Sequence, residues 1–240
     1  MVLVLPMSFS ADAFLVWPPS GFSTRWYAAL ARDIGLLKAA GNSLILASAV
    51  CAAALAIALP AALVLSRGRF PGQAALVALL SAPLLLPTIV LALALLIVFV
   101  GYGLIGSWPG LILAHLLVCL PYAVRVLMTA VSTLPPAVED AAASLGAAPW
   151  SVFRRVTLPL MMPGVAAATA IVFLVSFDEV VISLFVVGPH LTTLPVALFH
   201  YVESRTDPLV AAVSALLVVL TLAIVLILER ALGLARALGK

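Results

Sequence analysis

Five stretches of this chain, residues 44–65, 74–100, 108–124, 156–177 and 208–228, contain no aspartate, glutamate, lysine or arginine. No other feature limits the fold as strongly. The hydrocarbon core of a bilayer is about 30 Å thick, and a helix needs about 20 mostly apolar residues to cross it. Backbone N–H and C=O groups in lipid must be satisfied within their own segment, so the runs are read as helices. Only 9% of the 240 residues are charged, against about 25% in soluble domains. Water alone cannot solvate such a surface. The length allows one bundle of spans and no large soluble domain beside it. The expectation is an all-α membrane protein, with the lipid bilayer as its first partner.

The polar residues gather between the runs. Residues 11–41 carry Trp17, Trp26 and Tyr27, aromatic residues of the kind that anchor at a membrane interface. Asn42 or Ser43 is expected to cap the helix that follows. If 66–73, 134–155 and the C-terminal tail share the cytoplasmic side, that side holds Arg67, Arg69, Arg125, Arg154, Arg155, Arg230, Arg236 and Lys240. The other side holds Arg25, Arg32, Lys38 and Arg205, and the excess places the C-terminus inside. The apolar residues 1–10 are too short to span and read as the last turns of a helix whose beginning is absent. No basic n-region precedes them, since the first basic residue is Arg25.

The net charge of +3 is spread along the chain and gives no sign of nucleic-acid binding. Cys51 and Cys119 lie inside apolar runs and read as small buried hydrophobes rather than a disulfide. His115 lies within a span and reads as a hydrogen-bonded packing residue. His190 and His200 do not have metal-ligand spacing, so no metal is expected. Ser107 and His115 would lie more than about 10 Å apart on one helix, which excludes a serine–histidine nucleophile. No phosphate-binding glycine–lysine motif is present, so any ATP is handled by another chain. No catalytic residue and no cofactor are expected. Pro83–Pro87 and Pro159–Pro163 share a spacing, which the liking of proline for a helix's first turn explains without a repeat.

The loop over residues 134–158 is the most informative segment. Thr133, as a possible cap, with Pro135 and Pro136 marks a helix start, and Glu139 and Asp140 fall where the helix dipole favours carboxylates. Ala141 to Ala143 favour helix and leave a thin surface. Gly146 can take the left-handed conformation that ends a helix. Pro149 can start a second short helix, with Arg154 and Arg155 at its C-terminal end. The product is a helix, a sharp turn and a helix at the membrane surface, suited to insertion in a groove on another protein.

Asp140-Ala141-Ala142, three residues, Gly146, nine residues, then Val156-Thr157-Leu158-Pro159 resembles the pattern of ABC importer permeases: E-A-A, three residues, Gly, nine residues, I-x-L-P. The departures are Asp for Glu and Val for Ile. Ser176-Phe177-Asp178-Glu179, Gly188-Pro189, Thr193-Leu194-Pro195, the stretch from Pro18 to Ser23 and Trp26-Tyr27 resemble the spermidine/putrescine branch. The resemblance implies a type I ABC importer transmembrane bundle with five complete spans plus a truncated N-terminal one. It implies a division into 1–41, a transmembrane domain at 42–232 with a coupling loop at 134–158, and a cytoplasmic tail at 233–240. It also implies ABC ATPase subunits, a second permease subunit and an extracytoplasmic solute-binding protein as partners. Asp140, or Glu139 beside it, would bond to the ATPase, within a loop that includes Ala141, Ala142, Gly146, Val156, Leu158 and Pro159.

Asp178 and Glu179 lie near the outer end of a span, since Pro163 to Asp178 covers about 22 Å of helix. Two readings stay open. Asp178 faces a pathway for a cationic substrate while Glu179 pairs or reaches the interface, or both bond to a partner subunit at the helix end. Other solutes (an aminoalkyl-phosphonate, an opine, ferric iron or an oxyanion) and an ATP-independent secondary transporter or channel are the alternatives.

Overall fold

The computed structural model describes residues 3–232, and they are helical apart from connections and two isolated bridges, Ser10–Phe22 and Gly188–Leu191. The side chains of Arg230, Arg236 and Lys240 and the segment 233–240 lie outside what is described. The helices are α1 (Val4–Ser8), α2 (Arg25–Leu30), α3 (Ile34–Arg67), α4 (Gln73–Ser81), α5 (Thr88–Gly101), α6 (Trp108–Ser132), α7 (Pro136–Ser144), α8 (Pro149–Val152), α9 (Leu158–Phe177), α10 (Val181–Val186), α11 (Leu194–Ser204) and α12 (Leu209–Leu232). Three are long and apolar enough to cross a membrane: α3, α6 and the continuous rod Pro149–Phe177.

The run at 74–100 is expected to be one span. It is instead α4, a 3-10 turn Ala82–Leu85 and α5, bent by 100°. Pro83 and Pro87 supply the cause. Each lacks an N–H and collides with the carbonyl four residues back. Leu86, just before Pro87, is forced to extended backbone at φ −89°, ψ 140°. Counted as one span, the bent pair makes a fourth. The fifth expected run falls on α12, apolar over Leu209–Ile224.

Helix α3 begins at Ile34, ahead of the expected start at Asn42 or Ser43. Its cap is Asp33, whose carboxylate accepts from Leu36 N at 3.0 Å. Asn42 and Ser43 are taken by tertiary partners: Asn42 Nδ2 donates to Thr192 O (2.9 Å), and Leu194 N donates to Ser43 Oγ (2.8 Å). The 41/42 division therefore falls within α3.

α3, α6 and α9 pack together as the core. Ala54, Ala58 and Ala62 repeat every four residues on α3 and are fully buried, with Ala114 and Ala123 on α6. Small side chains let helix backbones approach closely, the main source of helix association in lipid. At Gly164 of α9 the approach is extreme, because an added Cβ would lie 2.2 Å from Ala130 Cβ. α1 packs on α12. The segment after it is organised by Asp12, which accepts from Ser10 Oγ, Ser20 N and Ser20 Oγ. The Ser20 hydroxyl, followed by the Ser20 N–H, holds the Asp12 carboxyl below its ordinary value. The far connections meet through main chain: Gly106 N donates to Val186 O at 2.8 Å, and a Cβ on Gly188 would sit 2.7 Å from Gly106 Cα.

Candidate functional site

Two polar clusters sit at opposite ends of α9, which is about 30 Å long at 1.5 Å per residue. At the first, α7 starts at Pro135–Pro136 without a side-chain cap. Thr133 is not that cap: it ends α6, and its Oγ1 donates to Ala130 O at 2.8 Å. The end of α7 is a Schellman turn. Gly146 has φ +85°, Gly146 N donates to Ala143 O (2.9 Å) and Ala147 N to Ala142 O (3.2 Å). A Cβ at Gly146 would touch nothing within 4 Å, so the site requires glycine for its backbone conformation and not for room.

α8 does not end at Arg154 and Arg155 as expected. The chain passes through a π-helical turn, Phe153–Thr157, straight into α9. Pro159 explains the widening, since its ring would collide with the carbonyl of Arg155 in a regular helix. Arg154 and Arg155 are exposed on this turn rather than at a helix terminus.

The adjacent acids of the loop have different surroundings. Glu139 turns inward: Oε2 lies 3.2 Å from Arg67 Nε, and Oε1 accepts from Thr157 Oγ1 at 2.8 Å. Arg67 also donates to Leu134 O at 3.0 Å. One carboxylate thus ties the last residue of α3, helix α7 and the π turn together. Asp140 is exposed, and its carboxylate has no partner among the described residues. Ala141 is exposed and Ala142 half-buried, Val156 and Leu158 are half-buried, and Pro159 is exposed. Leu145 and Trp150 stand out from the surface at 90% and 68% exposure.

At the other end, α9 stops at Phe177. Asp178 is exposed and lines a cavity of about 390 Å³ with Leu174, Phe177, Pro195, Leu217 and Thr221. Glu179 is half-buried, and its Oε1 accepts from Ile182 N at 2.9 Å, closing the first turn of α10. His115 is 1% exposed and, as expected of a hydrogen-bonded packing residue, bonded at both nitrogens: Nδ1 to Ser176 Oγ and Nε2 to Ser183 Oγ, each 2.9 Å. Cys51 and Cys119 are buried free thiols. His200 Nδ1 lies 3.4 Å from Glu203 Oε2, and no group of three or more potential metal ligands occurs among the described residues.

Sequence reasoning does not reach Ser183, the pairing of Arg67 and Thr157 with Glu139, or that of Ser176 with His115. Arg67 had been read only as an orientation charge, and Thr157 occupies the variable position of I-x-L-P. Nothing local in either residue names its distant partner.

A bundle of apolar helices with a surface helix–turn–helix at one end and an acidic break at the other is the build of a multi-pass membrane transport component. Residues 54–234 match the family described as binding-protein-dependent transport system inner membrane component, and the chain belongs to that family. It is therefore the inner membrane component of a binding-protein-dependent transport system. The putrescine transport system permease protein PotI of Escherichia coli (strain K12) is 36% identical over 225 residues, 90% of this chain and 79% of that protein. The spermidine/putrescine transport system permease protein PotC of the same strain is 34% identical over 224 residues, 92% of this chain and 84% of that protein. Among solved structures, a bacterial ABC transporter involved in the import of the acidic polysaccharide alginate superposes with TM-score 0.68 at 16% identity, covering 96% of this chain and 87% of that one. An amino acid ABC transporter with histidines gives 0.66 at 16%, covering 87% and 97%. The structures share the fold. The relatives bear out the resemblance drawn from the loop and the Ser-Phe-Asp-Glu stretch.

Proposed function

We propose that this chain is one permease subunit of an ATP-driven importer for polyamines such as putrescine and spermidine. The observation that carries the reading is Asp178, an exposed carboxylate without a partner among the described residues, in a cavity with mostly apolar walls. An ammonium group leaving water needs a paired charge. A single carboxylate in an apolar wall offers one, and offers nothing to an anion. The names of PotI and PotC support the same substrate class.

In this reading the partners are a second permease subunit, two copies of an ATPase and an extracytoplasmic binding protein. The loop end and the C-terminus are cytoplasmic, and Asp178 lies toward the outside. Residues 42–232 form the transmembrane domain, preceded by an extracytoplasmic segment at 1–41 and followed by a tail at 233–240. The ATPase meets exposed Asp140 and the thin face of Ala141 and Ala142. Gly146 turns the chain back, and Val156, Leu158 and Pro159 lead the displacement into α9. Glu139 acts within the loop by holding it to α3. Closure of the ATPases moves residues 134–158 and rocks the spans, so that the cavity opens to each side in turn.

Reconstituted vesicles with the binding protein and ATPase test this. Asp178→Asn keeps the shape and removes the charge, so uptake of labelled putrescine should fall at least about tenfold while the ATPase still copurifies. Undiminished putrescine uptake would sink the cationic reading. Uptake of an anionic or ferric solute instead would reassign the substrate, and uptake driven by an ion gradient without the ATPase would make this a secondary transporter.

A further inference from the structure

The break between α9 and α10 is held from the side by one imidazole. Ser176 is in the last turn of α9, two residues before Asp178, and Ser183 is in α10, four residues after Glu179. All three side chains are buried: His115 at 1%, Ser176 at 3% and Ser183 at 0% exposure. A neutral imidazole has one donor and one acceptor nitrogen, and each hydroxyl can serve either. Both 2.9 Å contacts are therefore satisfied together, with one serine giving a proton and the other receiving one. One turn further along α6, Cys119 Sγ lies 3.8 Å from Val172 O, so the same face of α6 runs along the end of α9. Besides this tether, the main chain of residues 178–180 and the bond from Ile182 N to Glu179 join the two helices.

We propose that His115 is a positioning residue that staples α9 to α10 across the break and so fixes where the Asp178 carboxylate stands in its cavity. His115 is not among the residues that line the cavity. It acts through the two hydroxyls that bracket the acidic pair. The inference rests on the cavity being the substrate route only for its consequence in transport. The staple itself is a statement about geometry and can be measured without any substrate.

The experiment uses the assembled transporter in vesicles and an Asp178→Cys variant, with the rate of thiol modification by a small, membrane-impermeant cationic methanethiosulfonate as the readout. The native thiols of Cys51 and Cys119 are buried. His115→Leu removes both bonds, His115→Asn offers an amide near the Nδ1 position facing Ser176, and His115→Gln offers one near the Nε2 position facing Ser183. The rate should change by about fivefold for each bond lost, giving intermediate rates for Asn and Gln. The partner pattern is the decisive readout. With His115→Asn, adding Ser183→Ala should cost nothing further, while adding Ser176→Ala should bring the rate to the His115→Leu level. His115→Gln should show the mirror image. Simple packing would follow side-chain volume and ignore which serine is missing. If His115→Leu does not assemble, the Asn and Gln series alone decides the matter. An unchanged rate in all variants, or Asn and Gln variants indifferent to the choice of serine, overturns the staple. A staple pattern together with normal putrescine uptake by Asp178→Asn keeps the staple and removes the polyamine reading instead.

Discussion

Each end of α9 carries two adjacent carboxylates, and each pair divides in the same way. Glu139 is engaged by the chain while Asp140 has no partner among the described residues, and Glu179 is engaged while Asp178 likewise has none among them. On α7 neighbouring side chains point about 100° apart, so Asp140 faces away when Glu139 serves the fold; Asp178 and Glu179 lie in the break between α9 and α10, where Glu179 accepts from Ile182 N. The ends differ in what does the holding. Glu139 is held by a cation and a hydroxyl at a partly exposed site, with side-chain exposures of 29% for Arg67 and 23% for Glu139. Glu179 is held by a backbone N–H, beside a buried neutral hub of one histidine and two serines. The loop end relies on a charge pair that salt can weaken, whereas the acidic break has no charge pair among the described residues and leans on the neutral histidine–serine hub, which salt leaves alone.

Four changes test that contrast. The largest effect is expected at Gly146. A β-branched residue at φ +85° costs about 1–2 kcal/mol, so Gly146→Val should distort the turn after α7 while α9, α10 and the Asp178 cavity keep their form. ATP hydrolysis per solute imported should rise, and a wild-type ratio would remove the turn from the account. Next comes Glu179→Ala, which removes the carboxylate that accepts from Ile182 N at the start of α10, at a cost of about 1 kcal/mol. Hydrogen exchange should quicken at Ile182 and Ser183 and not in α7; equal quickening at both ends would mean that the two clusters are one unit.

Glu139→Gln should have a smaller effect. The amide oxygen still accepts from Thr157, and only the ion pair is lost, which at this exposure is about 0.2–1 kcal/mol. Wild-type loop proteolysis should depend on salt and the variant's should not; a variant that keeps the dependence would show that Arg67 is not its source. The smallest effect belongs to Asp12, outside both clusters. Its carboxyl is held below the ordinary value by bonds from Ser20. That ordering is complete above the ordinary carboxylate range and is lost as pH falls through the depressed value. Cleavage within residues 11–24 should increase on acidification, and Asp12→Asn should abolish the pH dependence.

Much of the plan was legible in the sequence. The uncharged runs announced helices, and Pro135, Pro136, the alanines, Gly146 and Pro149 announced the helix, turn and helix, with Gly146 in its left-handed state. The bend at Leu86 was less legible, because a 100° change of direction leaves hydropathy untouched; the two prolines were visible but not how their effects would combine. The start of α3 was misread because Asn42 and Ser43 are good caps whose hydrogen bonds go to Thr192 and Leu194, far along the chain. Which member of each acidic pair is engaged was hidden for the same reason. Arg67 lies a whole span and more from Glu139, and no local pattern links them.

The π turn at Phe153–Thr157 carries one further consequence. Its i→i+5 bonding encloses one residue more than a regular turn, and each residue turns a helix by about 100°. The turn therefore sets the phase of everything beyond it. With one residue fewer, α9 would leave the loop rotated by roughly a quarter turn. Gly164 would no longer face Ala130, Ser176 would swing away from His115, and Asp178 would point out of its cavity. Which wall of the cavity the free carboxylate occupies is thus decided some 30 Å away, by a single extra residue wound into the other end of the same rod.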